Sequence, residues 1–295
     1  MTKEYTVTQT LYSGFQFIES PRWYNDQLWF VDMNAHQVLR ASLASEPEVV
    51  CTLDDDYPSG LGWLSDGRLL LVAMESRQVR RLEVDGSIVV HADVSALAVG
   101  DINDMVVHSD GTAWLGDMAY EVHSDAYPTE HGQSIRVTAN GQADVAASEL
   151  MAPNGHAILA NGKTLIVAES GGSRLFAFDI ASNGSLENRR VFAELVPEAG
   201  QDFSPPDGIC VDAEGAVWFA DPIGKRVCRV REGGECTDII RLEDDASPIA
   251  CALGGPGRRT LFIAAAHQLP GGKPVEQGNA RIDAIDVSVA GAGSP

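Results

Sequence analysis

The sequence predicts an all-β chain, a six-bladed β-propeller with four-stranded blades and a ring closed by the N-terminal strand. Three observations carry the prediction. A short apolar strand recurs six times in phase, a tight turn precedes most copies, and helical periodicity is nearly absent. The chain has 295 residues and is 44% apolar, enough to bury a core without disulfide or metal staples.

The copies lie at 28–33 (LWFVDM), 69–74 (LLLVAM), 113–118 (AWLGDM), 165–170 (LIVAES), 217–222 (VWFADP) and 261–266 (LFIAAA), and their starts are 41, 44, 52, 52 and 44 residues apart. That spacing suits one four-stranded blade per copy. Another apolar stretch precedes each copy, separated from it in four cases by Asp66-Gly67, Asp110-Gly111, Asn161-Gly162 or Glu214-Gly215. Such pairs suit tight hairpins in which both central residues take positive φ. A more alternating strand and a weaker fourth strand follow. The six units nearly exhaust the chain, so one domain is expected. The last unit lacks a fourth strand. Residues 5–11 (YTVTQTL) alternate polar and apolar, and are expected to complete the sheet that contains 261–266, hiding the sheet edges.

Charge narrows the partners. With 42 acidic and 21 basic residues, the net charge is −21. Nucleic acid and anionic membrane surfaces both need Lys and Arg, so neither is expected as a partner. Such a field favours solubility and draws in cations, and the expected partner is a small-molecule substrate. The five cysteines form no C-x-x-C pair, and Cys210 and Cys251 fall in apolar strand-like stretches. They read as small buried hydrophobes in a reducing compartment. The polar start MTKEYTVTQT has no apolar signal-peptide core, and no apolar run reaches membrane-spanning length. The expected location is the cytoplasm.

Aligning the copies exposes one position at the start of each unit's first strand, occupied by Glu19, Ser59, Asn103, Asn154, Asp207 and Ile249. The first strand of a propeller blade is innermost, so these six should ring one mouth of the central channel. The second strands end on the same side, bringing Asp32, Asp117, Glu169 and Asp221 near. Glu19, Asn103, Asn154 and Asp207 offer two carboxylates and two amide carbonyls. Such oxygens suit Ca²⁺ foremost, with Mg²⁺ and Mn²⁺ next. Zn²⁺ is a remoter alternative, since no His or Cys cluster favours it. Taken singly, Asn154-Gly155 and Asp207-Gly208 could equally be turn residues that tolerate a left-handed backbone.

The segments 18–23 (IESPRW), 102–107 (INDMVV), 152–169 (APNGHAILANGKTLIVAE) and 206–221 (PDGICVDAEGAVWFAD) resemble the SMP-30/gluconolactonase/regucalcin family. The resemblance implies a six-bladed propeller holding one divalent cation, with lactone hydrolysis in many members. It implies that Glu19, Asn154 and Asp207 are metal ligands, and that Asn103 contacts metal, its water or substrate. Asp207 matches the residue often assigned as general base, which makes Asp207 and Asn103 the expected catalytic pair. Sugar-lactonase members often carry Arg two residues before the Asn. Here that position is Asp101, which cannot replace an Arg fork. The insertion at 120–133 (YEVHSDAYPTEHGQ) follows the third repeat strand on the ring's side and reads as a pocket wall or an ordinary loop. Asn103, Asp101, Tyr120 and His123 are the expected substrate contacts.

The expected chemistry is metal-assisted acyl transfer from a lactone or related ester to water, with Asp207 taking the proton. His156 and His123 are alternative bases, although the apolar neighbours of His156 suit a core histidine. No G-x-S-x-G supports a serine nucleophile, and no G-x-G-x-x-G or P-loop is present. Two rivals share the site: a non-catalytic Ca²⁺-binding propeller, and a phosphotriesterase-like hydrolase or lyase. Fold alone does not separate them.

Overall fold

The computed structural model describes residues 2–124, 130–269 and 276–293. Its strands form six antiparallel sheets in a ring. Blade 1 holds Ile18–Tyr24, Gln27–Asp32, Gln37–Ala41 and Glu48–Thr52, and blade 2 holds Pro58–Trp63, Leu69–Ala73, Gln78–Leu82 and Ile88–Asp93. Blade 3 is Ile102–Val107, Ala113–Asp117, Gly132–Val137 and Ala143–Leu150. Blade 4 is Pro153–Ile158, Thr164–Glu169, Arg174–Ile180 and Leu186–Glu194. Blade 5 begins with Ile209–Val211, Val217–Asp221, Arg226–Val230 and Cys236–Leu242. Blade 6 begins with Ser247–Gly254, Thr260–Ala266 and Ala280–Asp286. Helix among the described residues is limited to two three-residue 3₁₀ turns, and no helix is long and apolar enough to cross a membrane.

The six repeat strands fall on the second strand of each blade, within a residue of the expected bounds. The closing strand does not. Residues 5–11 are not one strand. Gln9–Phe15 supplies the fourth strand of blade 6, pairing with Ala280–Asp286 from Gln9↔Ala284 to Phe15↔Ala280. Lys3–Val7 turns away and adds a fifth, parallel strand to blade 5 against Cys236–Leu242. The alternating pattern fits both sheets. The two buried anchors, Val7 and Tyr12, settle it by packing into different inter-blade cores: Val7 beside Trp218 and Ile240, Tyr12 beside Phe30 and Ile282. Stacked rings seal the joint, with Trp23 of blade 1 on Phe262 of blade 6 at 5.6 Å.

The hairpin turns also differ in detail. Gly67, Gly111, Gly162 and Gly215 take positive φ, but their Asx or Glu partners do not. Asp66, Asp110 and Asn161 instead accept the backbone N–H two residues on. Three of the loops are one residue longer than a two-residue hairpin and that of Asn161-Gly162 is two longer, which shifts the left-handed requirement to the glycine alone.

Two local devices build the channel mouth. Five inner strands carry a one-residue bulge at the ring position. Thus Ile102 pairs with Asp117 but Met105 with Leu115, and Pro153 with Glu169 but His156 with Val167. The same slip occurs at Glu19/Arg22, Pro58/Leu61 and Pro248/Ala250. A bulge leaves residues unpaired and re-aims their side chains. The glycine after the ring position lets neighbouring blades touch backbone to backbone. A Cβ on Gly155 would lie 2.6 Å from Asp207 O, and one on Gly208 would lie 2.3 Å from the Ala250 Cβ. Both glycines have ordinary negative φ, so close approach rather than a left-handed turn explains them.

Two predictions follow from this frame. Truncation through Thr8 removes one edge strand and one buried Val, and should lower Tm by about 5 °C in calorimetry. Truncation through Phe15 reopens the ring and should abolish the single cooperative transition. An unchanged transition in that second variant would contradict closure by Gln9–Phe15. Gly208→Ala should cost about 1–3 kcal/mol by overpacking, seen as a Tm loss of roughly 3–10 °C. A neutral Gly208→Ala would show that blades 5 and 6 separate freely at the mouth.

Candidate functional site

The inner strands bring Glu19, Ser59, Asn103, Asn154 and Ile249 to equivalent places on five blades, and Asp207 stands at the matching place ahead of the inner strand of blade 5. Glu19 is 6% exposed, Asn103 5% and Asn154 7%. Asp207 is partly exposed, just ahead of the shortest inner strand. The amides and one carboxylate form a chain across blades 3, 4 and 5. Asn103 Nδ2 donates to Asn154 Oδ1 at 3.2 Å, and Asn154 Nδ2 donates to Asp207 Oδ1 at 2.6 Å. Asn103 Oδ1 is buried and has no hydrogen-bond partner among the described residues.

The electrostatics are those of crowded carboxylates. Burial pushes Glu19 well above the usual carboxylate range, and the charges of Asp207 and Asp104 add to the rise. Asp207 is pushed up to about 7 by desolvation and then by Asp104, against the opposing hydrogen bond from Asn154. A cation would relieve both. The donor set fits a hard divalent ion: Glu19, Asp207, Asn154 and the orphaned Asn103 Oδ1 offer hard oxygens on one ring. No group of three or more His, Cys, Asp and Glu residues among the described residues could hold a metal ion. Amide and water oxygens would therefore have to complete the coordination.

The carboxylates at the ends of the second strands have a different occupation. Asp32 accepts the backbone N–H groups of Gln16 and Phe17, Asp117 those of Val99 and Gly100, and Glu169 that of Met151. Asp221 accepts from Gly224 N and the Ser204 hydroxyl. Each sits on the ring's side but faces backbone. Asp32, Asp117 and Glu169 hold the segment that leads into their blade's innermost strand. The repeat pattern contained this signal, since an acidic residue closes four of the six repeat strands.

His156 is in the core. Its Nδ1–H donates to Asn154 O at 2.7 Å, and its Nε2 accepts from the Ser134 hydroxyl at 3.1 Å. Burial pushes the imidazole down to about 4. With both nitrogens engaged it fixes the Asn154 backbone and is not placed as a base. Asp101 is also committed. Its Oδ2 accepts from Val122 N at 2.8 Å, while its own N–H donates to Tyr120 O. It therefore roots the start of the 120–133 insertion, of which 125–129 lie outside the described residues. His123 stacks on Tyr57 with ring centroids 4.0 Å apart, and Tyr57 in turn faces His36 at 4.6 Å. Among the described residues the enclosed His123 nitrogens have no hydrogen-bond partner, and Nδ1 lies 3.7 Å from Glu75 Oε1. Asn103 thus joins Asn154 directly and Asp207 through it, whereas Asp101, Tyr120 and His123 stand together on the wall above blades 2 and 3.

The family pattern described as SMP-30/Gluconolactonase/LRE-like region matches residues 17–267. A regucalcin of Xenopus laevis is 26% identical over 268 residues, covering 89% of this chain and 86% of that protein. A gluconolactonase of Zymomonas mobilis is 22% identical over 289 residues, covering 90% and 80%. A solved structure described as a calcium-binding protein, regucalcin, from Agrobacterium tumefaciens superposes with a TM-score of 0.79 at 19% identity, covering 100% of this chain and 99% of that one. The match over residues 17–267 places the chain in the SMP-30/gluconolactonase/LRE-like family.

Proposed function

We propose that this chain is a divalent-cation-dependent hydrolase that opens a lactone or related ester at the ring's mouth. Lactone hydrolysis is supported at the level of the family, whose described members include gluconolactonases. The observation that carries the reading is the buried, unpartnered Asn103 Oδ1 beside two raised carboxylates on the same ring. Buried polar oxygens without partners are uncommon and ask for a ligand.

Glu19, Asn154, Asp207 and Asn103 would hold the cation, Ca²⁺ first among the candidates. When bound, it supplies a Lewis acid that polarises a carbonyl and favours negative charge on its oxygen. The remaining work falls to the chain. Asn103 orients substrate through the amide face not held by Asn154. Asp207, at the open end of the amide chain, receives the proton of the attacking water. His156 keeps Asn154 in place, and the wall of Tyr57, Tyr120 and His123 limits the substrate from blades 2 and 3. Asp101 gives its carboxylate to Val122 N and offers no guanidinium fork for sugar hydroxyls. Lactones with few hydroxyls are therefore the first substrates to test.

Chelation should abolish turnover of a lactone panel, and added Ca²⁺, Mg²⁺ or Mn²⁺ should restore it. Cation binding with no turnover of any ester would favour a binding protein instead, as the likeness to regucalcin would then suggest. Asp207→Asn keeps an oxygen ligand but removes the base. Its kcat should fall by roughly 10²-fold or more, and saturating cation should not restore it. Asn154→Ala should lose occupancy and recover most activity at saturating cation, because an amide takes no proton at neutral pH. Equal rescue of both variants would remove Asp207 from the role of base.

A further inference from the structure

Below the ring, a third carboxylate and a guanidinium meet inside the channel. Arg22, two bulged residues beyond Glu19 and Ser20 on blade 1, reaches to blade 3. Its Nη2 lies 2.5 Å from Asp104 Oδ1 and 2.8 Å from Met105 O. The same Oδ1 accepts Met105 N at 2.8 Å, and the Ser20 hydroxyl lies 2.8 Å away, with Ser59 O at 2.5 Å on its other side. Arg22, Ser20 and Asp104 are all buried. Ser20 takes a left-handed backbone, φ 48°, with its own N–H toward Glu19 Oε2. A non-Gly residue there is strained and needs compensation, which the two side-chain contacts supply.

A buried Arg–Asp pair is costly to desolvate and is weak evidence for stability. Its position suggests another role. Asp104 follows the proposed ligand Asn103 directly, and its charge raises both Glu19 and Asp207, while Arg22 opposes the rise at Glu19. The pair is therefore electrically part of the ring. His156 adds no charge, being neutral with both nitrogens bonded. With the carboxylates ionised, Glu19, Asp207, Asp104 and Arg22 together carry two negative charges.

We propose that Arg22 sets the charge class of cation the channel accepts: by neutralising Asp104 it leaves two uncompensated carboxylates, matched to a divalent ion. The proposal rests on the cation reading above. Without Arg22 the cluster is three negative and suits a trivalent ion. Without Asp104 it is one negative and suits neither. Removing both restores the match without the ion pair. Charges taken out of water interact strongly at this range, so the differences should be large.

Calorimetric titration of Ca²⁺ into cation-stripped protein tests this, with Tb³⁺ luminescence as the trivalent probe. Asp104→Asn should weaken Ca²⁺ binding at least tenfold, and Arg22→Met/Asp104→Asn should recover it to within about threefold of wild type. Arg22→Met should raise the preference for Tb³⁺ over Ca²⁺ at least tenfold. Ca²⁺ binding to Asp104→Asn that matches wild type would overturn the proposal. So would a double variant as weak as Asp104→Asn, since the pair would then act as a geometric brace rather than through charge. Where a single variant fails to fold, the double variant decides. It leaves no buried charge unpaired, and a loss beyond tenfold in the folded double variant overturns the proposal. A wild-type protein that binds no Ca²⁺ overturns the cation reading and this proposal together. Binding by wild type with a series out of order overturns this proposal alone.

Discussion

Glu19 and Asp207 bring like charge into one narrow, desolvated space, and much of the molecule makes that unavoidable. The Asp207 backbone is held between blades 4 and 6, because Gly155 and Gly208 let those blades come into close contact with it. On blade 1 the bulge that follows Glu19 re-aims the strand at the channel mouth. Burial then raises both carboxylates. A cation would answer that strain without any change of fold.

The surrounding carboxylates show how the same residue type serves two purposes a few ångströms apart. Asp32, Asp117 and Glu169 accept backbone N–H groups, Glu169 together with the Arg174 guanidinium, and hold the approaches to the inner strands. Asp104 Oδ1 is engaged by Arg22, Ser20 and Met105. Among the ring's own positions, Asn103 keeps an oxygen with nothing to bond. Structural carboxylates are distinguished from functional ones here by their partners, not by their burial.

The blade count and the phase of the ring were legible because a propeller repeats its hydrophobic pattern, and six copies in phase reinforce one another. The closing strand was less legible. An alternating segment pairs equally well with either neighbouring sheet until Val7 and Tyr12 choose their cores, and that choice depends on packing across three blades. The glycines after Asn154 and Asp207 looked like turn residues, since a close approach between blades leaves no local signature. Arg22 and Asp104 lie 82 residues apart, and nothing in either segment announces the other. His156 was readable as a core residue from its apolar neighbours, while Asp101, read as a substrate contact in place of an arginine, gives its carboxylate to Val122 N, a partner that no local pattern announces.

The central claim is that the ring converges on one cation, and a crystal grown with Mn²⁺ tests it most directly. An anomalous difference map should show a single strong peak in the channel, within about 2.0–2.6 Å of oxygens from Glu19, Asn154 and Asp207, the range for hard divalent ions. Asn103 Oδ1 should turn toward it. A channel without an anomalous peak at saturating Mn²⁺, with Glu19 and Asp207 unchanged, would contradict the account.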